Sequence, residues 1–124
     1  MTVRSAFLLC TIWAAFGSAS AELVDIAWAV DGRFASQKEI PAGKFVEVCG
    51  KLPANLAVKW SFSATGPADF NIHYHQDKDV VYPAKLSRAD RGEAVLQTRV
   101  EQDYCWMWTN KAATPISLAV QLQR

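Results

Sequence analysis

Apolar and polar residues alternate along most of the chain from residue 23 onward, a period of two that is typical of half-buried β-strands. In the first such stretch, Val24, Ile26 and Trp28 are separated by single smaller or polar residues. The predicted strands are Leu23–Val30, Lys44–Leu52, Ala57–Phe62, Phe70–His75, Val80–Tyr82, Glu93–Val100, Tyr104–Asn110 and Pro115–Gln123. Turn residues separate them about every 8–12 residues, as in Thr65-Gly66-Pro67, and the pattern predicts no helix after residue 21. We therefore predict an all-β fold, an antiparallel β-sandwich of about seven or eight strands.

The two densest stretches of the chain are Tyr104–Asn110 and Asp69–His75. Alternation places Tyr104, Trp106 and Trp108 on one face of the first of these strands. Aromatic side chains at strand spacing are typical of a core. The alternative is an exposed aromatic platform that binds sugars or peptides.

The opposite faces of the same two strands carry the sharpest chemical signal. His73 and His75 project from one face of their strand, roughly 7 Å apart along the chain. Imidazole pairs suit copper or zinc, and the thioether of Met107 would favour Cu(I). His73, His75 and Met107 are therefore a candidate copper or zinc site. The alternative is a pair of exposed histidines on a solvated face, with Met107 as surface packing.

The first residues resemble a signal for export. Arg4 precedes an apolar run from Ala6 to Phe16 that is too short to span a membrane comfortably, and Ala19-Ser20-Ala21 fits a cleavage site. We predict a signal peptide over residues 1–21 and a periplasmic or secreted domain over residues 22–124. An uncleaved membrane anchor is the alternative, and no later stretch is apolar enough to be a stable anchor.

The net charge of the predicted mature chain argues against one class of partner. Of 13 lysines and arginines, Arg4 lies in the predicted signal, which leaves 12 basic residues against 12 acidic ones. A mature chain without net charge or a basic run argues against a nucleic-acid partner. The remaining length suits one domain with one core.

Two cysteines, Cys49 and Cys105, follow the predicted signal. An even pair in an exported chain predicts one disulfide. The alternatives are a redox pair or thiolate metal ligands, although the chain contains no Cys-x-x-Cys motif.

Several short motifs together resemble the GOLD domain, the lumenal β-sandwich of the emp24/p24 cargo-receptor proteins. They are Val46-Glu47-Val48-Cys49, the strand with Trp60, Asp69-Phe70-Asn71-Ile72, Arg91-Gly92-Glu93 and Tyr104–Asn110. The resemblance covers about residues 44–123 and maps the family's paired cysteines onto Cys49 and Cys105. Met107 departs from the pattern, since the family's second cysteine usually lies closer to the asparagine. No coiled coil or coat-binding tail follows, so a role in vesicle traffic is not implied.

The resemblance implies a non-enzymatic sandwich that binds other molecules. We accordingly predict an exported binding module for a protein or peptide partner, with a small copper- or zinc-binding protein as the alternative. No nucleophile elbow or glycine-rich phosphate loop supports an enzyme.

Overall fold

A computed structural model describes residues 22–124, and seven strands account for most of this range. The strands are β1 (Glu22–Asp25), β2 (Arg33–Ile40), β3 (Phe45–Leu52), β4 (Ala57–Gln76), β5 (Asp79–Gln97), β6 (Gln102–Thr109) and β7 (Ile116–Gln123). The all-β prediction is confirmed. Within the described range no helix is long and apolar enough to cross a membrane. The predicted signal peptide lies outside the described residues.

The strands form one mixed sheet in the order β1-β3-β6-β4-β7-β2, with β5 paired to β4 alone. Only the pair of β1 and β3 is parallel. The long strand β4 bonds to β7 through residues 59–64 and to β6 through residues 69–73, while β5 follows it on its other side. The sheet therefore curls into two layers that share the β4–β5 ribbon, which gives a sandwich-like shape.

The core fills the space between these layers. Trp106 and Trp108 of β6 are fully buried, and Tyr104 is 1% exposed. The ring of Trp108 lies 5.3 Å from that of Phe70 and 5.5 Å from that of Phe62, so both halves of β4 contact it. The aromatic face of β6 is therefore core and not a solvent-facing platform.

The strand boundaries differ from the predicted ones in four places. β1 ends at Asp25 instead of Val30, and the predicted strands Val80–Tyr82 and Glu93–Val100 belong to one strand, β5, which ends at Gln97. The segment Thr65-Gly66-Pro67 does not reverse the chain, since β4 continues through it with irregular pairing to β5 between Ser63 and Ala68. A Cβ at Gly66 would lie 2.9 Å from the Ile116 side chain, so the glycine permits close approach to β7. Residues 33–40, which are absent from the predicted strands, form β2 at an edge of the sheet.

A second irregularity bends β5 opposite this point. Arg88 has a positive φ of 50°, and its amide donates to the carboxylate of Asp69 at 3.0 Å. Lys111 contacts the other carboxylate oxygen at 2.8 Å. The hydrogen bonds from Lys111 and from the Arg88 amide lower the pKa of Asp69. This carboxylate therefore secures the bend of the ribbon.

Candidate functional site

One layer consists of β1, β3, β6 and the second half of β4, and its outer surface collects the polar side chains of β3, β4 and β6. Strand register aligns Glu47 with Met107 and Met107 with Asn71 in one row. The next row aligns Cys49 with Cys105 and Cys105 with His73. We call this surface the His73 face, and its members are Glu47, Cys49, Asn71, His73, Cys105 and Met107.

His73 is the best-defined group on this face. Although it points outward, the side chain is only 6% exposed. Its Nδ1 lies 2.7 Å from Oδ1 of Asn71, and its Nε2 lies 3.3 Å from a carboxylate oxygen of Glu47. Burial lowers the pKa of His73, the Glu47 carboxylate opposes this shift, and the nearby His75 adds to it.

The two cysteines pair directly across β3 and β6, and Cys49 and Cys105 form a disulfide. The disulfide prediction is therefore confirmed. The bond lies beside His73 on the outer surface, and neither sulfur is buried in the aromatic core.

The predicted metal set is only partly assembled. His75 is exposed, and its ring centre lies 5.4 Å from that of His73. Met107 is half-buried and lies in the row of Glu47 and Asn71, next to the row that contains His73. The set of His73, His75 and Met107 therefore stays a prediction.

A different set of potential ligand atoms does converge. One ligand atom each from Glu47, His73 and Cys105 lie within 4.8 Å of one another. Sequence reasoning missed Glu47, because its approach to His73 depends on the register of three strands that are distant in the sequence. Asn71 lies two residues before His73 on the same face of β4, and its hydrogen bond to the ring was not predicted. Within residues 22–124 no hydroxyl group hydrogen-bonds to either histidine.

Tyr82 of β5 borders the same face and was also missed as a site residue. Its ring centre lies 6.0 Å from that of His73, and Nζ of Lys85 lies 3.9 Å above the ring. Tyr82 is 45% exposed, so it offers an aromatic surface to a partner while it covers the histidine. The short apolar segment that contains Tyr82 was the available sequence signal.

Exposed apolar side chains also occur along the rest of β5. Six large hydrophobic side chains are exposed among the described residues, and four belong to β5: Val80, Tyr82, Leu86 and Val95. Within residues 22–124 this strand of 19 residues bonds to β4 on one side and to no strand on the other. It is thus a long free edge with apolar groups along it.

The other layer consists of β2, β7 and the first half of β4, and its outer surface forms a groove. A shallow groove of about 770 Å³ crosses β2, β7, β4 and β5, with Ala35, Ser61 and Gln121 among its lining residues. Arg33, Lys59 and Glu93 also line this groove. The polar side chains that line this groove are exposed or half-buried, and none is buried.

The fold and this surface define a class of small β-rich domains with one disulfide. No protein-family model matches the chain, and no curated protein matches it in sequence. Solved structures with this fold include PliG, a periplasmic inhibitor of g-type lysozyme. The Aeromonas hydrophila protein has a TM-score of 0.54 at 15% identity, over 83% of this chain and 97% of that one. PliG from Salmonella Typhimurium has a TM-score of 0.57 at 12% identity, over 84% and 98%.

A second type of domain has the same fold. The pre-peptidase C-terminal domain of a Bacillus anthracis collagenase has a TM-score of 0.64 at 10% identity, over 84% of this chain and 97% of that one. At these identities the similarity establishes the fold alone.

The GOLD-domain prediction is wrong, because the similar structures are PliG and pre-peptidase C-terminal domains. The motifs that suggested it have general physical causes. Many β-rich domains share these features, namely alternating strands, a disulfide between neighbouring strands and a buried asparagine after an aromatic strand.

Proposed function

We propose that this protein is an exported, non-enzymatic binding module whose partner is another protein. The observation that carries the proposal is β5, a free edge strand with four exposed apolar side chains. Unpaired strand edges bind other chains through main-chain hydrogen bonds, and exposed apolar groups mark protein interfaces.

The nature of the surface supports a protein partner over a small molecule. The exposed groups form a strip along a strand, and of the four Val95 alone also lines the shallow groove of the other layer. Tyr82 and the neighbouring His73 face combine aromatic, thioether and polar groups, a mixture enriched at protein interfaces. Pro83 and the charged residues between Lys85 and Glu93 interrupt the strip, which would limit non-specific pairing of the edge.

The similar structures support the same class of function and suggest a first partner. The PliG proteins are described as periplasmic inhibitors of g-type lysozyme. A g-type lysozyme is therefore the partner to test first. The disulfide and the predicted signal peptide support an exported location.

The test is to mix the mature protein with a g-type lysozyme and to measure complex formation by calorimetry and residual lysis of bacterial cell walls. We expect a complex and reduced lysis. Val80→Lys and Val95→Lys should each weaken binding about 10-fold or more, because each change replaces an apolar contact of the proposed interface by a charge.

Val30→Lys is the matched control, because Val30 is fully exposed but lies on the turn before β2. It should bind as the unmodified protein does. A complex that tolerates both β5 substitutions would reject the β5 edge as the interface, and no complex would reject g-type lysozyme as the partner.

A further inference from the structure

Four groups on the His73 face together make a complete ligand set for a metal ion. Cys49, Cys105 and His73 are direct neighbours across three strands, and Glu47 is two residues before Cys49 on the same face. The ligand atoms of Glu47, His73 and Cys105 already lie within 4.8 Å of one another, and the Cys49 sulfur is bonded to that of Cys105. One oxygen, one nitrogen and two sulfurs therefore occupy one small volume.

The imidazole of His73 is oriented as a ligand would be. Oδ1 of Asn71 can only accept, so Nδ1 of His73 donates to it across 2.7 Å. The other nitrogen, Nε2, then faces Glu47 and the disulfide. Metal-binding histidines commonly donate their second nitrogen to such an oxygen, which fixes the ring. Asn71 is thus a positioning residue.

The disulfide is what prevents this set from binding a metal in the oxidised protein. A metal ion needs thiolates, and the two sulfurs are neutral while they are bonded to each other. We propose that reduction of the Cys49–Cys105 disulfide creates a zinc site formed by Cys49, Cys105, His73 and Glu47. The inference is independent of the binding function proposed above.

The chemistry of the switch balances as a thiol–disulfide exchange. A dithiol reductant donates two electrons and two protons, breaks the bond between the cysteine sulfurs and becomes a disulfide itself. The two new thiols release their protons to solvent when the metal binds. The resulting donors, two thiolates, one imidazole and one carboxylate, suit the tetrahedral preference of Zn²⁺.

The experiment compares oxidised and phosphine-reduced protein, each titrated with Zn²⁺ and with Co²⁺ as a spectroscopic substitute. We expect the reduced protein to bind one ion per chain, with the visible bands of tetrahedral cobalt and the ultraviolet absorption of cobalt–thiolate bonds. The oxidised protein should show neither signal. Equal binding by both forms, or none by the reduced form, would overturn the proposal.

Matched variants separate this site from binding by an unfolded reduced chain. His73→Ala should lower the affinity of the reduced protein by more than about 10-fold, and Asn71→Ala by about 10- to 100-fold, the usual cost of losing such a positioning contact. His75→Ala, a change two residues away on the same face, should bind as the unmodified protein does. An unfolded chain would bind through its cysteines regardless of His73, so equal affinities for His73→Ala and His75→Ala would disprove the site.

Discussion

Asn110 is the most deeply enclosed polar side chain of the described chain. Its amide nitrogen donates to the carbonyl oxygens of Ile40 and Thr114, at 3.0 and 2.8 Å. Its side-chain oxygen accepts from the amide of Ala112 at 2.9 Å. One residue therefore satisfies backbone groups at the end of β2 and in the turn before β7, which positions both strands.

We expect Asn110→Ala to lower the free energy of unfolding by about 2–4 kcal/mol, because it leaves several buried backbone groups without partners. Urea unfolding followed by tryptophan fluorescence measures the change. Thr114→Ala is the control, since only the carbonyl of Thr114 takes part and its side chain is exposed. Similar losses in the two variants would refute this role for the amide.

At the scale of a single element, the β4–β5 ribbon depends on close contact between its strands and the core. Gly92 lies opposite Phe62, and a Cβ there would come within 2.7 Å of the Phe62 ring and 2.9 Å of Leu86. Phe62 is 5% exposed, so its ring has little room to move. The glycine thus allows the ribbon to pack flat over the aromatic core.

Gly92→Ala should therefore destabilise the protein by about 1–3 kcal/mol, the usual cost of overpacking. The double variant Gly92→Ala with Leu86→Ala tests the cause, because shortening Leu86 removes one of the two clashes. Thermal unfolding should show the double variant losing less than the sum of the two single changes. Additive losses would mean that the contact does not carry the effect.

At the scale of the whole molecule, the disulfide joins β3 to β6, strands that are far apart in the sequence. The sequence separation of Cys49 and Cys105 is 56 residues. Closing a loop of this length restricts the unfolded chain, which the chain-entropy model values at roughly 4 kcal/mol.

The double variant Cys49→Ser with Cys105→Ser should accordingly unfold at a lower urea concentration, with a loss of about 2–4 kcal/mol. Adding a reductant should shift the unmodified protein in the same direction and leave the variant unchanged. If the reductant shifts both proteins, the effect does not arise from this bond.

Local alternation predicted some strands well and others poorly, for physical reasons. Residues 45–52 and 116–123 have apolar side chains on one face and polar ones on the other, so β3 and β7 match their predicted ranges closely. β2 was missed because two of its half-buried positions, Ser36 and Lys38, carry polar side chains and so break the apolar alternation. The continuous course of β4 through residues 65–67 depends on β5 and β7, which a local pattern does not contain.

The candidate site was also predicted in part by local alternation, and the rest of it depends on contacts between strands. Alternation correctly places the side chains of His73 and Met107 outside and the three aromatic residues of β6 inside. The contact of His73 with Glu47 arises from a register that spans three strands. Tyr82 reaches this face through the pairing of β5 with β4, and the short apolar segment around it is its only local signal.

The position of β7 has a consequence for how the protein forms during synthesis. It is the last strand in the sequence, but it lies inside the sheet, between β4 and β2. Until β7 has been synthesised, β2 has no partner among the described strands and the first half of β4 is paired with β5 alone, so apolar side chains of both strands lie uncovered. The nascent chain therefore stays open to chaperones and to aggregation until β7 joins the sheet, which closes only afterwards.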